Sequence, residues 1–273
     1  MSLDETALSN GELYTILTNK ARKGKKGTIV GIFKGTQSKD IIDIIQKNIS
    51  SQKRKIVREI TLDMANNMNL IAKTCFLKAD RVTDRFHVQK LVWEAVQDMR
   101  IKYRWEALDS ENQAYQKAKE QKTTYHPETL PNGDTIKQLL VRSRYALYKP
   151  KEKWTPSQCA RAELLFEMYP LIEKVYNLGY ELYKIYNQKI LPDIARTKLA
   201  HWFNDIELSK LDVMNTVKRT FEIHYETIIN FFNSRSTNAA AESFNAKIKD
   251  FRRNFRGVTD VKFFLYRLTK IYA

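Results

Sequence analysis

Four acidic residues occupy positions from which they could surround a metal ion. Asp63 closes the run Val57–Leu62, whose β-favouring residues alternate faces, and a helical pattern opens two residues later at Ala65. Asp84 closes a second short extended run, Ala79–Thr83, and begins the sequence Asp84-Arg85-Phe86-His87. Asp4 stands near the start with Glu5 beside it, and Glu242 falls close to the start of a helix that opens after Asn238. Carboxylates are the hard oxygen ligands that Mg²⁺ prefers, and a pair of such ions clamps both the attacking and the leaving oxygen of an in-line phosphoryl transfer. Taken singly, each of these acids is more commonly a cap or turn residue than a ligand.

The elements around them must deliver the acids to one place. If the strands ending at Asp63 and Asp84 lie parallel through a right-handed crossover, both acids emerge side by side at the carboxyl edge of one sheet. Ahead of them, Leu13–Leu17 and Thr28–Phe33 flank the basic, turn-like segment Lys20–Gly27 and predict a hairpin. Ser38 or Asp40 can cap a helix with Ile41, Ile42, Ile45 and Ile49 as its apolar stripe. The predicted order is therefore strands, helix, strand, helix, strand. From Val88 to about Asn230 helical runs dominate, including Gln89–Trp105, Gln138–Tyr148, Ser157–Gln188 and Asp212–Phe232, broken where prolines fall. A polar turn over Asn233–Asn238 then leads into a helix with Asn238 as its predicted N-cap. On that helix Glu242, Asn245 and Lys249 share one face, and Phe244, Ile248 and Phe251 form the buried one. Lys247, Lys249, Arg252, Arg253 and Arg256 there outnumber Glu242 and Asp250. One carboxylate followed by a basic stripe suits a metal site beside a phosphate backbone.

Composition narrows the class of partner. The formal net charge is +16, with 47 Lys+Arg against 31 Asp+Glu, a balance that fits a polyanion and nucleic acid first. No apolar run is long enough to span a bilayer, and the start MSLDETALSN has neither the basic region nor the apolar core of a signal peptide. These features predict a soluble, cytoplasmic protein with no membrane partner. Cys75 and Cys159 stand far apart without zinc-ligand spacing and are read as buried thiols. His126, His201 and His224 lack metal-ligand spacing and receive no role.

The segments LDETALSNGELY, TLDMANNM, VTDRFHVQKLV and STNAAAESFNAKIKDFRRNFRG resemble the catalytic domain of ISL3-family insertion-sequence transposases. The resemblance runs over nearly the whole chain, and its most specific parts are DRFHV and the AESFNAKIK helix. It implies a DDE transposase: an α/β protein with a ribonuclease-H-like mixed-sheet core and a large all-α insertion. Residues 1–88 would form the first part of the core, 89–232 the insertion, and 233–273 the helical region completing the core. Carried over by motif, Asp4, Asp63 and Glu242 are the catalytic and metal-binding acids, with two Mg²⁺ or Mn²⁺ ions expected. Asp84 and His87 form a D-x-x-H pattern, which either helps position DNA and the metal ligands or is a structural cap; Asn245 is a further supporting residue. Lys247, Lys249, Arg252, Arg253 and Arg256 would grip DNA. The implied partners are the element's ends and its target DNA, with a homo-oligomer assembling on them in the bacterial nucleoid.

Family members also carry an N-terminal region with a zinc-binding cysteine cluster and a helix-turn-helix, whereas this chain begins three residues before Asp4. The resemblance therefore predicts that end recognition is encoded separately, or that the chain is a fragment or a decayed copy that binds DNA without cutting it. A standalone ribonuclease-H-like nuclease is a third reading, disfavoured by the helical insertion. The strand carrying Asp4 is expected to be cut short, and Asp4 to be mobile.

Overall fold

The computed structural model describes residues 1–7, 12–254 and 260–273. It divides into two units, one formed by Met1–Val88 with Ile223–Ala273 and the other by Gln89–Glu222. In the first, β1 (Ser2–Ala7), β2 (Leu13–Thr18) and β3 (Ile29–Lys34) form an antiparallel meander, with a register shift between Leu17 and Thr18. Helices α1 (Ser38–Asn48) and α2 (Ser51–Ile56) then carry the chain across to β4 (Glu59–Leu62) on the far side of β1. From there α3 (Asn66–Cys75) is the crossover to β5 (Asp80–Thr83), which pairs parallel to β4. The resulting sheet is mixed, five-stranded and ordered β3-β2-β1-β4-β5.

Alternation along the strands supplies both faces with apolar residues. On one face Leu3, Leu17, Phe33, Ile60 and Leu62 pack with Ile41 and Ile45 of α1 and Met68, Ile71 and Ala72 of α3. On the other, Ile16 and Ile29 meet α11 (Ala239–Asn254) through Phe244 and Ile248, and α12 (Val261–Tyr272) through Phe264 and Leu268. The helix carrying Glu242 is therefore held to the sheet by its apolar stripe. Each such side chain contributes about 1.5–3 kcal/mol when fully buried.

Several local expectations change. The helix predicted from Ser38 or Asp40 has Gln37 as its N-cap, and no side chain caps it. The run from Val57 becomes strand only at Glu59, because Ser50 accepts a hydrogen bond from Lys53 N and opens α2 in the residues before it. Cys75 is buried as expected, but Cys159 is exposed, on the outer side of a helix first turn. The largest correction concerns Asp4. Its strand is not cut short: β1 continues through Ala7, and its six residues pair from Ser2↔Thr18 to Ala7↔Leu13. The ladder is completed by residues that follow Asp4, so a short lead before it does not fray it.

The second unit is helical. It holds the remainder of α4 (Arg85–Glu120), then α5 (Ile136–Arg142), α6 (Pro156–Met168), α7 (Pro170–Asn187), α8 (Pro192–Ser209) and most of α9 (Val213–Ile229). Pro170 divides the run read as Ser157–Gln188, sitting in the first turn of α7 where its missing N–H costs nothing. Capping boxes at Thr135 with Gln138 and at Thr155 with Gln158 start α5 and α6. Trp93, Trp154, Phe166 and Tyr176 form its aromatic centre. The chain re-enters the first unit at Ile223, within α9 and ahead of the polar turn, and a short α10 (Phe231–Ser234) leads to α11. Among the described residues, no helix is long and apolar enough to cross a membrane.

Removing the anchor of α11 should be costly. Ile248→Ala should lower stability by about 2–5 kcal/mol in denaturant titration, as expected for a fully buried branched side chain. A loss under about 0.5 kcal/mol, the range of surface changes, would mean that α11 is not held through this face.

Candidate metal centre at the carboxyl edge of the sheet

Strand register sets three acids in a row. Leu62 pairs with Thr83, so the next residues, Asp63 and Asp84, leave β4 and β5 level with each other. Asp84 N donates to Leu62 O at 2.9 Å, continuing the ladder. Ser2 pairs with Thr61 in the parallel contact of β1 and β4, and two residues further on the same register sets Asp4 level with Asp63. The adjacent strands β1, β4 and β5 thus bring Asp4, Asp63 and Asp84 to one edge.

Asp84 is only 1% exposed, and a buried carboxylate needs its oxygens hydrogen-bonded. Oδ1 accepts from Asn238 N at 3.0 Å, and Oδ2 meets His87 Nδ1 at 3.2 Å. Its carbonyl accepts from His87 N and Val88 N at the opening of α4. Asn238 is gripped a second time, since Ser2 Oγ donates to its side-chain oxygen. That side chain therefore does not cap α11; its backbone carbonyl opens the helix by accepting from Ala241 N and Glu242 N. Glu242 lies in the first turn, close to the carboxylate that fixes the turn's position. Asp84, His87 and Glu242 each offer one ligand atom, and these atoms lie within 4.8 Å of one another.

Asp4 is held from α11. Its Oδ2 accepts from Asn245 Nδ2 at 2.7 Å and its Oδ1 from Glu5 N at 2.9 Å. Burial pushes the Asp4 carboxyl up to about 6, with Asp63 and Glu242 adding repulsion while the Glu5 N–H and His87 oppose it. Glu242 is also raised, by burial and then by Asp84. His87 is raised chiefly by its hydrogen bond to Asp84, against its own burial. Asp63 Oδ1 accepts from Ala65 N at 2.9 Å, a side-chain turn that leads into α3. Glu5 is bound elsewhere: its Oε1 accepts from Asn67 Nδ2. The site is a group of mutually repelling oxygen donors beside one imidazole, and a cation relieves that repulsion.

Of the basic residues, Lys247 and Lys249 are exposed. Arg253 is paired with Asp250, and the Arg252 guanidinium lies 5.2 Å from the centre of the Phe264 ring. Arg256 lies outside the described residues.

His224 was assigned no role from sequence, yet it belongs to this unit and is 4% exposed. Burial lowers its pKa, against the pull of Asp63 and of the backbone at Met64, the residue after Asp63. The signal was available, since Val217, Phe221, His224 and Ile228 share the buried stripe of α9, and a polar residue on such a stripe is informative.

A family model described as a transposase, that of the ISL3-type DDE enzymes, matches residues 1–268. No curated protein and no solved structure matches the chain.

The Asp4 environment predicts a pH signature. The folded chain holds this proton more tightly than the unfolded chain, whose carboxyl sits near 3.8 against about 6 when folded. Asp4 therefore contributes stability at low pH, and the contribution is lost as pH rises through that window. An Asp4→Asn variant, neutral throughout, should gain in Tm relative to the parent from about pH 4 to about pH 6 in metal-free buffer, then hold the difference. A difference that stays constant over the window would show that the Asp4 carboxyl titrates normally.

Proposed function

Because the chain belongs to the ISL3 family of DDE transposases, we propose that it cleaves DNA strands and transfers them with divalent cations held by Asp4, Asp63 and Glu242. The reading rests above all on register: Asp4 and Asp63 stand level on adjacent strands, and Glu242 sits on the helix turn fastened to that edge through Asn238. The strand order, an antiparallel meander followed by two parallel strands on its far side, supports a ribonuclease-H-like core. The helical unit Gln89–Glu222 would be the insertion that separates its last strand from the glutamate helix.

The donor set fits Mg²⁺ or Mn²⁺. It is rich in carboxylate oxygen, the ligand both ions prefer, and the raised Asp4 and Glu242 mark a site that lacks compensating positive charge. A bound pair of such ions supplies charge stabilisation at the attacking and leaving oxygens of a displacement at phosphorus. The side chains have their own tasks. Asn245 orients Asp4 by donating to one of its oxygens. Asp84 serves as a positioning residue, because its oxygens already meet Asn238 N and His87 and almost none of it is exposed. His87 is oriented by Asp84 through Nδ1, and one of its ring nitrogens lies within 4.8 Å of a Glu242 carboxylate oxygen. Lys247 and Lys249 lie further along α11, beyond the acid, where a phosphate backbone leaving the site would pass.

In this reading Asp63→Asn and Glu242→Gln each abolish Mg²⁺-dependent nicking of duplex DNA while DNA affinity in metal-free buffer stays within a few-fold of the parent. Cleavage retained within about tenfold, a change in barrier of roughly 1.4 kcal/mol, would remove that residue from the metal site.

A further inference from the structure

Between Leu13 and Lys39 the chain carries seven lysines and arginines and no acid, and five of them fall in the loop from Lys20 to Lys26 that joins β2 to β3. This loop has a defined conformation. Asn19 Oδ1 accepts from Ala21 N at 3.1 Å, Asn19 N donates to Thr28 O at 2.8 Å, and Thr28 Oγ1 donates to Lys25 O at 2.7 Å. Successive amides of Arg22, Lys23 and Lys25 close tight turns on the carbonyls of Asn19, Lys20 and Arg22. Lys23 and Gly24 both hold positive φ, 47° and 75°, a backbone that a lysine adopts only at a cost.

The cations are sorted by this geometry. Lys20 turns inward, donating to Glu59 Oε1 at 3.0 Å and to Ser236 Oγ at 2.6 Å. Arg22, Lys23, Lys25 and Lys26 are exposed and make no ion pair among the described residues. Lys247 of α11 joins them, because a Cβ placed on Gly24 would stand only 2.9 Å from its Nζ. The loop therefore follows the flank of α11 from Ser236, before Glu242, to Lys247 after it. Five like charges gathered on a fixed backbone repel one another, and a polyanion is the ligand that turns this repulsion into binding.

We propose that the β2–β3 loop, together with Lys247, is a phosphate-backbone contact for duplex DNA alongside the candidate metal centre, independent of base sequence. The proposal rests on the reading of this unit as one that acts on DNA. It assigns the loop a share of affinity that the basic stripe of α11 alone would otherwise carry.

The test is the salt dependence of binding by the full chain to a fluorescent duplex of arbitrary sequence, without divalent metal. In the combined variant Arg22→Gln, Lys23→Gln, Lys25→Gln and Lys26→Gln, the slope of log affinity against log salt should flatten by about 3.6, since each of the four phosphate contacts contributes about 0.9. The loss should be equal on unrelated duplexes. Circular dichroism checks the fold, and if the fourfold variant fails to fold, the pair Lys25→Gln and Lys26→Gln carries the test with a flattening of about 2. An unchanged slope in a folded variant would make the loop a merely solvated face and overturn the proposal. A parent chain whose slope depends on the loop but which never nicks DNA with Mg²⁺ or Mn²⁺ would uphold the contact and remove the cleavage reading. A parent chain without salt-dependent DNA binding would overturn both.

Discussion

The hydrogen bond from Asn238 N to Asp84 Oδ1 joins residues separated by nearly the whole helical stretch of the sequence, and the arrangement of the candidate metal centre follows from it. A carboxylate removed from water costs several kcal/mol unless its oxygens are satisfied, and taking away one partner leaves the charge uncompensated. Asp84 is satisfied by a backbone N–H from the turn before α11 and by His87 one turn into α4. Both partners are thereby fixed against the end of β5. Glu242 follows within the first turn of α11, so its placement derives from a buried charge that tolerates little displacement. Ser2 binds the same Asn238 from β1, and Asn245 binds Asp4 one turn beyond Glu242. The helix is thus registered against two strands by polar bonds and against the other sheet face by Phe244 and Ile248.

These bonds hold together groups that repel. Asp4 and Glu242 are both shifted upward by burial and by neighbouring acids, and His87 is shifted upward by the acids around it. Such an arrangement lowers stability unless something cationic enters, which is how a site built for ligand differs from one built for the fold. The apolar layers carry the compensating stability. α1 and α3 cover one face of the sheet while α11 and α12 cover the other, so the strained edge lies between two well-packed cores.

Much of this was legible in the chain. The strand, acid and helix sequence around Asp63 and Asp84 is local, set by alternation and by the residues that end it, and the structure keeps it. The two faces of α11 follow from helical periodicity alone, with Phe244 and Ile248 buried and Lys249 exposed. What could not be read is non-local. Asn238 looks like an N-cap by type, but its side chain is drawn to Ser2, a residue no local pattern connects to it. Only three residues precede Asp4, but its pairing is completed by Glu5, Thr6 and Ala7 against β2, a strand that no local pattern ties to them. The Arg253 pair with Asp250 is the exception, an i, i+3 contact that helical spacing alone makes readable.

Charge of both signs on one short helix would make binding and chemistry separable if the chain acts on DNA as proposed. Glu242 lies in the first turn of α11, where the positive end of the helix dipole favours an acid, and Lys247 and Lys249 follow on exposed positions. A phosphate is drawn to the lysines and to the loop beside them, but repelled from an edge made of Asp4, Asp63, Asp84 and Glu242. Over these few residues the two potentials oppose each other, so the backbone can rest on the basic flank without reaching the acids. A divalent cation reverses the sign of the acidic edge alone. On the proposed reading, metal would change little of an affinity supplied by the flank, while deciding whether a phosphodiester can approach the carboxylates at all.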